Sequence, residues 1–267
     1  MLIGGSILTV GAAVLGPSAC AMRGMKQGSA VAAGGNAPEK PQGTPIPARD
    51  EDIGPVLARL DAWYAAHLTN ENYRLEPPAS VAELDALEAL TGQQLSRAYR
   101  QLYAWMGGEN DDRWGHIYGL PLLTQERVRA EWQTMRKVEQ YFGGNRYPVP
   151  GGGWPVGAVD PAYTNPGWIP LTADGSGNCI GLDLAPWPRG QTGQIILFGR
   201  DEDVKVVLSP SLGGFLDWIA TLLESGNFRL DIAPGEQVLR EFRLEDPPVD
   251  HFHEGARQLL GAPGQYL

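Results

Sequence analysis

The stretch Asn165-Pro-Gly-Trp168-Ile-Pro170-Leu-Thr-Ala-Asp174-Gly-Ser-Gly-Asn178-Cys-Ile-Gly-Leu-Asp183-Leu184 decides the fold. Two short runs carrying Trp, Ile and Leu flank Asp174-Gly175. Glycine accepts the positive φ that a tight turn requires, so the stretch reads strand, turn, strand. A loop follows, then Gly193-Gln-Ile-Ile-Leu-Phe198 as another strand, a turn, a fourth strand, and a helix over residues 211–225. Trp168 in its strand and Trp218 in its helix have apolar neighbours, and both are expected to be largely buried.

Working upstream, the pattern changes to helical spacing. Ile53, Val56, Leu57, Leu60, Trp63, Tyr64 and Leu68 recur at three- and four-residue intervals, with Pro55 suited to a first turn. Ser80-Val-Ala-Glu83 is a capping box opening a second helix, which Gly92 ends. A third helix is expected over residues 96–106, stopped by Gly107-Gly108. Thr124 then caps a fourth over residues 125–141, with Val128, Trp132, Met135 and Val138 inward.

Taken in order, the capped helix, Leu90-Thr-Gly-Gln-Gln-Leu95, the aromatic helix, Leu122-Leu123, the Trp-bearing helix and the segment from Trp168 to Asp183 resemble the SUKH family. That family contains bacterial toxin-immunity proteins and fungal cell-wall-assembly regulators. The resemblance covers residues 53–228. It implies an α+β fold, a twisted and mainly antiparallel sheet with N-terminal helices and a C-terminal helix packed against it. It also implies a non-enzymatic protein-binding domain, here expected to be an immunity protein neutralising a secreted toxin encoded nearby. The alternative is an envelope-associated cell-wall regulator, a sugar-binding module or a hydrolase.

Outside this core the chain reads differently. Residues 1–21 carry no charge, with an apolar run over 2–15 and Ala19-Cys20-Ala21 in the A-x-A pattern of a cleavable leader. Ser18-Ala-Cys20 also resembles a lipoprotein processing site, which makes Cys20 the expected lipidation site. A basic n-region does not precede it, so the leader looks like the middle of a longer one. Residues 22–52 are rich in Ala, Gly and Pro and read as a flexible tether. The expected location is therefore the periplasm or cell envelope, lipid-anchored through Cys20, with the cytoplasm as the alternative. Residues 229–267 form a C-terminal extension beyond the resemblance, with a short helical stretch at 252–260.

Composition narrows the function classes. With 31 acidic against 21 basic residues, the formal net charge is −10 and no basic run exists, so nucleic acid is not an expected partner. Two cysteines, Cys20 and Cys179, exclude a disulfide framework and a cysteine-rich zinc site. No Gly-x-Ser-x-Gly elbow is present. His251, His253 and Glu254 beside Asp250 lack the helical i, i+4 histidine spacing of hydrolytic zinc. The Asp174 to Asn178 loop offers oxygens but not a twelve-residue calcium loop, and Gly151-Gly-Gly153 has no following helix or lysine for phosphate. Neither a metal nor a cofactor is expected.

An enzyme of wall polymers needs paired carboxylates, and Asp174 with Asp183 is the pair in the decisive stretch. Turn and strand roles account for both. Trp63, Trp132 and Trp218 fall on apolar faces, whereas Trp114, Trp154, Tyr163 and Trp187 fall in Gly- or Pro-rich loops. Glu109 to Asp112 and Asp201 to Asp203 read as acidic turns. Loop aromatics anchor partners and rim charges speed encounter. The expected partner contacts are therefore Trp154, Tyr163, Asp111, Asp112 and Asp201.

Overall fold

The Asp174-Gly175 turn joins β2 (Trp168–Ala173) to β3 (Asn178–Asp183) as an antiparallel pair, Trp168 opposite Asp183 and Ala173 opposite Cys179. Gly175 and Gly177 adopt φ of 75° and 102°, the left-handed region that the sequence predicts for this turn. The structure, a computed structural model, describes residues 39–68, 76–109, 115–141, 152–232 and 239–265, all within one compact unit. The leader, Cys20, Asp111, Asp112 and Trp114 lie outside the described residues.

β4 (Gln194–Gly199) and β5 (Lys205–Ser209) continue the meander, and β1 (Gly153–Trp154) joins β5 in parallel, giving the order β1-β5-β4-β3-β2. Every residue of β2, β3 and β4 is buried, so both faces of the sheet are covered. Strands buried on both faces read as continuous apolar runs, which is why Ile195-Ile-Leu-Phe198 does not alternate. Pro170 sits in the edge strand β2, where a missing N–H is tolerated. At Gly181 a side chain would stand 2.2 Å from the Ile169 carbonyl oxygen, so β3 has a glycine where β2 bulges toward it.

Among the described residues, the helices are α1 (Gly54–His67), α2 (Val81–Thr91), α3 (Arg97–Trp105), α4 (Gln125–Tyr141), α5 (Leu212–Glu224) and α6 (Phe252–Leu260). α1, α3 and α5 pack together, α5 lies on β4 and β5, and α4 lies on β2. The predicted capping box is formed: Ser80 Oγ accepts from the Glu83 N–H and Glu83 accepts from the Ser80 N–H at 2.8 Å. Ser96 Oγ accepts from the Tyr99 N–H and Ser211 Oγ from the Gly214 N–H, which caps α3 and α5. Trp63, Trp132 and Trp168 are buried as expected. Trp218 is only half-buried: it stands on the margin of α5, 6.2 Å from Phe215 and 6.1 Å from Phe252. Its helix is as predicted, but the ring faces the seam with α6 rather than the centre of the core.

Both flanks of the predicted core are seated on it. Ile46 forms a parallel bridge to Gln191, and Glu51 accepts from the Gly213 N–H at 2.9 Å, satisfying a free donor at the start of α5. In the C-terminal extension, β6 (Arg229–Ile232) and β7 (Leu239–Arg243) make a separate antiparallel pair. α6 then docks beside β5 with Phe252 stacked 5.0 Å from Tyr118.

Candidate functional site

Three of the five expected contact residues lie along the β1–β5 pair and the loops beside it. Trp154 lies in β1 opposite Val206, with Gly153 opposite Lys205. Tyr163, from the loop after β1, stands over Lys205, whose Nζ is 5.6 Å from the ring centroid. Asp201 occupies the turn between β4 and β5. Trp154 and Tyr163 are both half-buried: each packs one side inward and leaves another to solvent. Trp187, the remaining described loop aromatic, is buried and closes over the core instead.

The rim of this edge is held by cross-linked turns. Asp174 accepts from the N–H groups of Ser176 and Asn178 at 2.7 and 3.0 Å and from the Asn178 side-chain amide at 2.8 Å. Asn178 Oδ1 in turn accepts from the Asp201 N–H at 2.9 Å, and the Arg200 N–H donates to the Gly177 carbonyl. The β2–β3 and β4–β5 turns thus form one block. Arg200 Nε pairs with Asp201 at 3.0 Å in an exposed setting. The oxygens that suggested a cation loop are occupied by backbone and amide donors of their own turn.

Beneath the rim lies charge that the sequence pattern does not reveal. Lys205 is fully buried, and its Nζ donates to the carbonyls of Gly199 (2.9 Å) and Glu202 (2.6 Å). Burial pulls its pKa down to about 7, against the opposing pull of Asp203 and Asp201. The same burial, together with Asp201, raises the Tyr163 hydroxyl. Glu202, read from sequence as part of a solvated acidic turn, is 1% exposed and paired with Arg257 of α6, which is equally buried. Arg257 also donates to the carbonyls of Val204 and Pro263, both at 3.0 Å. No local signal marks this pair, because its members lie 55 residues apart in the chain.

The other acidic turn is likewise partly internal. Glu109 is buried, accepts from His116 Nδ1 at 2.5 Å and from the Leu122 N–H at 2.8 Å, and so organises the 115–123 segment. Asp174 and Asp183 do not form a catalytic pair. They lie at opposite ends of the hairpin, roughly 15 Å apart by strand rise, and Asp183 has no exposed surface. A glycosidase pair stands no further apart than about 9.5 Å. The histidines of the C-terminal segment diverge in role. His253 is buried 3.8 Å from Glu202, while Asp250 pairs with Arg243 and Glu254 accepts from Gln258. Among the described residues, no three His, Cys, Asp or Glu side chains are grouped to hold a metal ion, and no helix is long and apolar enough to cross a membrane.

Comparison with known proteins completes the site's context. The chain is 36% identical over 183 residues to the cell wall biosynthesis/cell cycle regulator smi1 of Schizosaccharomyces pombe, covering 65% of this chain and 36% of that protein. It is 30% identical over 232 residues to the cell wall assembly regulator SMI1 of Saccharomyces cerevisiae, covering 72% and 46%. It is 31% identical over 231 residues to a glucan synthesis regulatory protein of Neurospora crassa, covering 73% and 42%. The chain therefore spans less than half the length of these relatives. Their names correct one expectation: they support regulation of the cell wall and give no support to toxin neutralisation, immunity or a lipoprotein. The profile of the SMI1 / KNR4 family (SUKH-1) matches residues 78–218, more than half of the sequence, and the chain belongs to that family.

Proposed function

We propose that this domain is a non-enzymatic docking module of cell wall regulation, binding a protein partner through the β1–β5 edge. The observation that carries the reading is the placing of Trp154 beside Val206 and of Tyr163 over Lys205 along one strand pair, with Asp201 in the turn that leads into β5 and tied by a hydrogen bond to the β2–β3 turn. Half-buried aromatics on a rigid support suit partner anchoring, because little side-chain entropy remains to be lost on binding. The acidic rim suits a partner with basic groups at the matching positions. The relatives' names as regulators of wall assembly and glucan synthesis support regulation over catalysis. With this reading goes the cytoplasmic alternative, since a regulator of biosynthesis and the cell cycle meets its protein partners inside the cell.

The test begins with crosslinked partners captured from native cells, followed by calorimetry of each purified partner. Trp154→Ala and Tyr163→Ala are each expected to weaken binding by about 2 kcal/mol, roughly thirtyfold. Asp201→Asn is expected to slow association and flatten its salt dependence. Urea midpoints of the variants control for folding. Unchanged affinity in both aromatic variants sinks the assignment of the surface, and turnover of a wall polymer by the purified chain sinks the non-enzymatic reading.

A further inference from the structure

The segment that leads into α1 is held to the rest of the domain at two places. Ile46 donates its N–H to the Gly190 carbonyl at 2.9 Å and accepts from the Thr192 N–H at 2.8 Å, as a single parallel-strand residue beside Gln191. Five positions later, the Glu51 carboxylate accepts from the Gly213 N–H at 2.9 Å and from the Ser211 hydroxyl, at the start of α5. Residues 42–44 and 46–50 face solvent, and Ile46 itself is 54% exposed. The attachment is therefore made by backbone and carboxylate hydrogen bonds, with little apolar burial behind it.

Both places have the form of recognition sites. An extended chain adds to a backbone edge through main-chain bonds, and the free N–H groups at a helix start favour a carboxylate. The segment is shaped for both. Thr44 and Ile46 precede Pro45 and Pro47, which biases them toward extended backbone before any contact is made, so little entropy is lost on seating. The neighbours of a paired strand residue turn their N–H groups outward, and here both are prolines, so the outer side offers no donor to a further chain. Past Glu51 an open groove continues between α1 and α5, lined by Ile53, Val56, Arg59, Gly213 and Asp217, and the segment leaves it uncovered.

We propose that residues 45–51 act as an intramolecular ligand. They occupy a binding site for an extended, proline-flanked segment that carries a carboxylate five residues on, and they keep it closed until such a segment of a partner protein displaces them. The site is built by the 190–192 edge and the start of α5. The tethered copy competes at an effective concentration on the order of millimolar, which sets the threshold a partner must exceed. Its contacts are hydrogen bonds at an exposed rim, the class that opens locally while the sheet stays folded. The Trp154–Tyr163 surface takes no part, so the inference stands apart from the docking reading.

The test uses the full chain and, as probe, a fluorescent peptide of residues 39–52 added in trans. Thr192 and Gly213 are the two backbone donors to the segment. In the parent, their amides are expected to exchange through a shared local opening, at least about a hundredfold more often than the amides of β4. Exchange of the two only together with the sheet overturns the proposal. With Ile46→Pro and Glu51→Ala combined, both amides are expected to lose protection, and the peptide to bind at least about tenfold more tightly than it binds the parent. Bound peptide is expected to restore protection at both, and a peptide carrying Glu51→Ala to bind about tenfold more weakly. A variant that is folded by circular dichroism and gains no affinity for the peptide overturns the proposal, as does binding indifferent to Glu51. Should the double variant fail to fold, Glu51→Ala alone and the parent exchange decide. Neither readout involves Trp154 or Tyr163, so failure here leaves the docking reading standing, and failure of that reading leaves this one.

Discussion

Trp168 and Trp218 differ in what surrounds them, and that difference has a measurable consequence. Trp168 has no exposed surface and meets Phe198 at 5.1 Å, so its removal leaves a cavity that the rigid sheet cannot close. Trp168→Ala is expected to cost about 3–5 kcal/mol. Trp218 is half-buried at the α5–α6 seam, and Trp218→Ala is expected to cost about half as much. Urea unfolding of both variants checks the order, and a reversed order overturns the placement of the two rings. Both residues share the same chemistry and lie beside apolar neighbours. Sequence therefore puts them both inside, and only their places in the fold, in a fully covered strand and on the margin of α5, separate them.

The C-terminal helix α6 shows what one element adds to the family core, since it lies beyond the matched residues 78–218. It is fixed by Arg257 and Glu202, each 1% exposed, at the turn that carries Asp201. Arg257→Met leaves Glu202 as a buried charge without its cation, and is expected to cost about 3–5 kcal/mol. Adding Glu202→Gln is expected to recover part of that loss, a non-additivity that a double-mutant cycle by chemical denaturation measures. Strictly additive losses sink the pair as a coupled unit. At the other end of the domain, Ser80→Ala removes the α2 cap and is expected to cost about 1 kcal/mol. The capping box is legible in four consecutive residues, because its physics is local. The Arg257–Glu202 pair has no such signature.

Over the whole molecule, two buried groups set opposite pH dependences. Burial lowers His253 from 6.5 to about 4; its neighbour Glu202 is already bound by Arg257. The folded state binds that proton less well than the unfolded chain, so its contribution is complete above 6.5 and is lost as pH falls toward about 4. Asp183 runs the other way: its folded pKa is raised from 3.8 to about 7, so its contribution is complete below 3.8 and is lost as pH rises. Each slope approaches 1.4 kcal/mol per pH unit at most. Between about pH 4 and 6.5 they oppose, and the parent is expected to show a shallow dependence there. His253→Leu is expected to make stability fall with rising pH, and Asp183→Asn to make it rise. Denaturation midpoints at pH 4.5, 5.5 and 6.5 check this, and parallel curves for all three proteins overturn it. The sequence by itself determined the helices, the turns, the strand order of the hairpin and the α+β class. Caps, positive-φ glycines and apolar periodicity act over a few residues and are written where they act. Tertiary structure alone decided which charges are internal. Glu109, Asp160, Asp183, Glu202, Lys205 and Arg257 look like ordinary polar residues in the chain, and become buried groups only when segments remote in sequence exclude water around them.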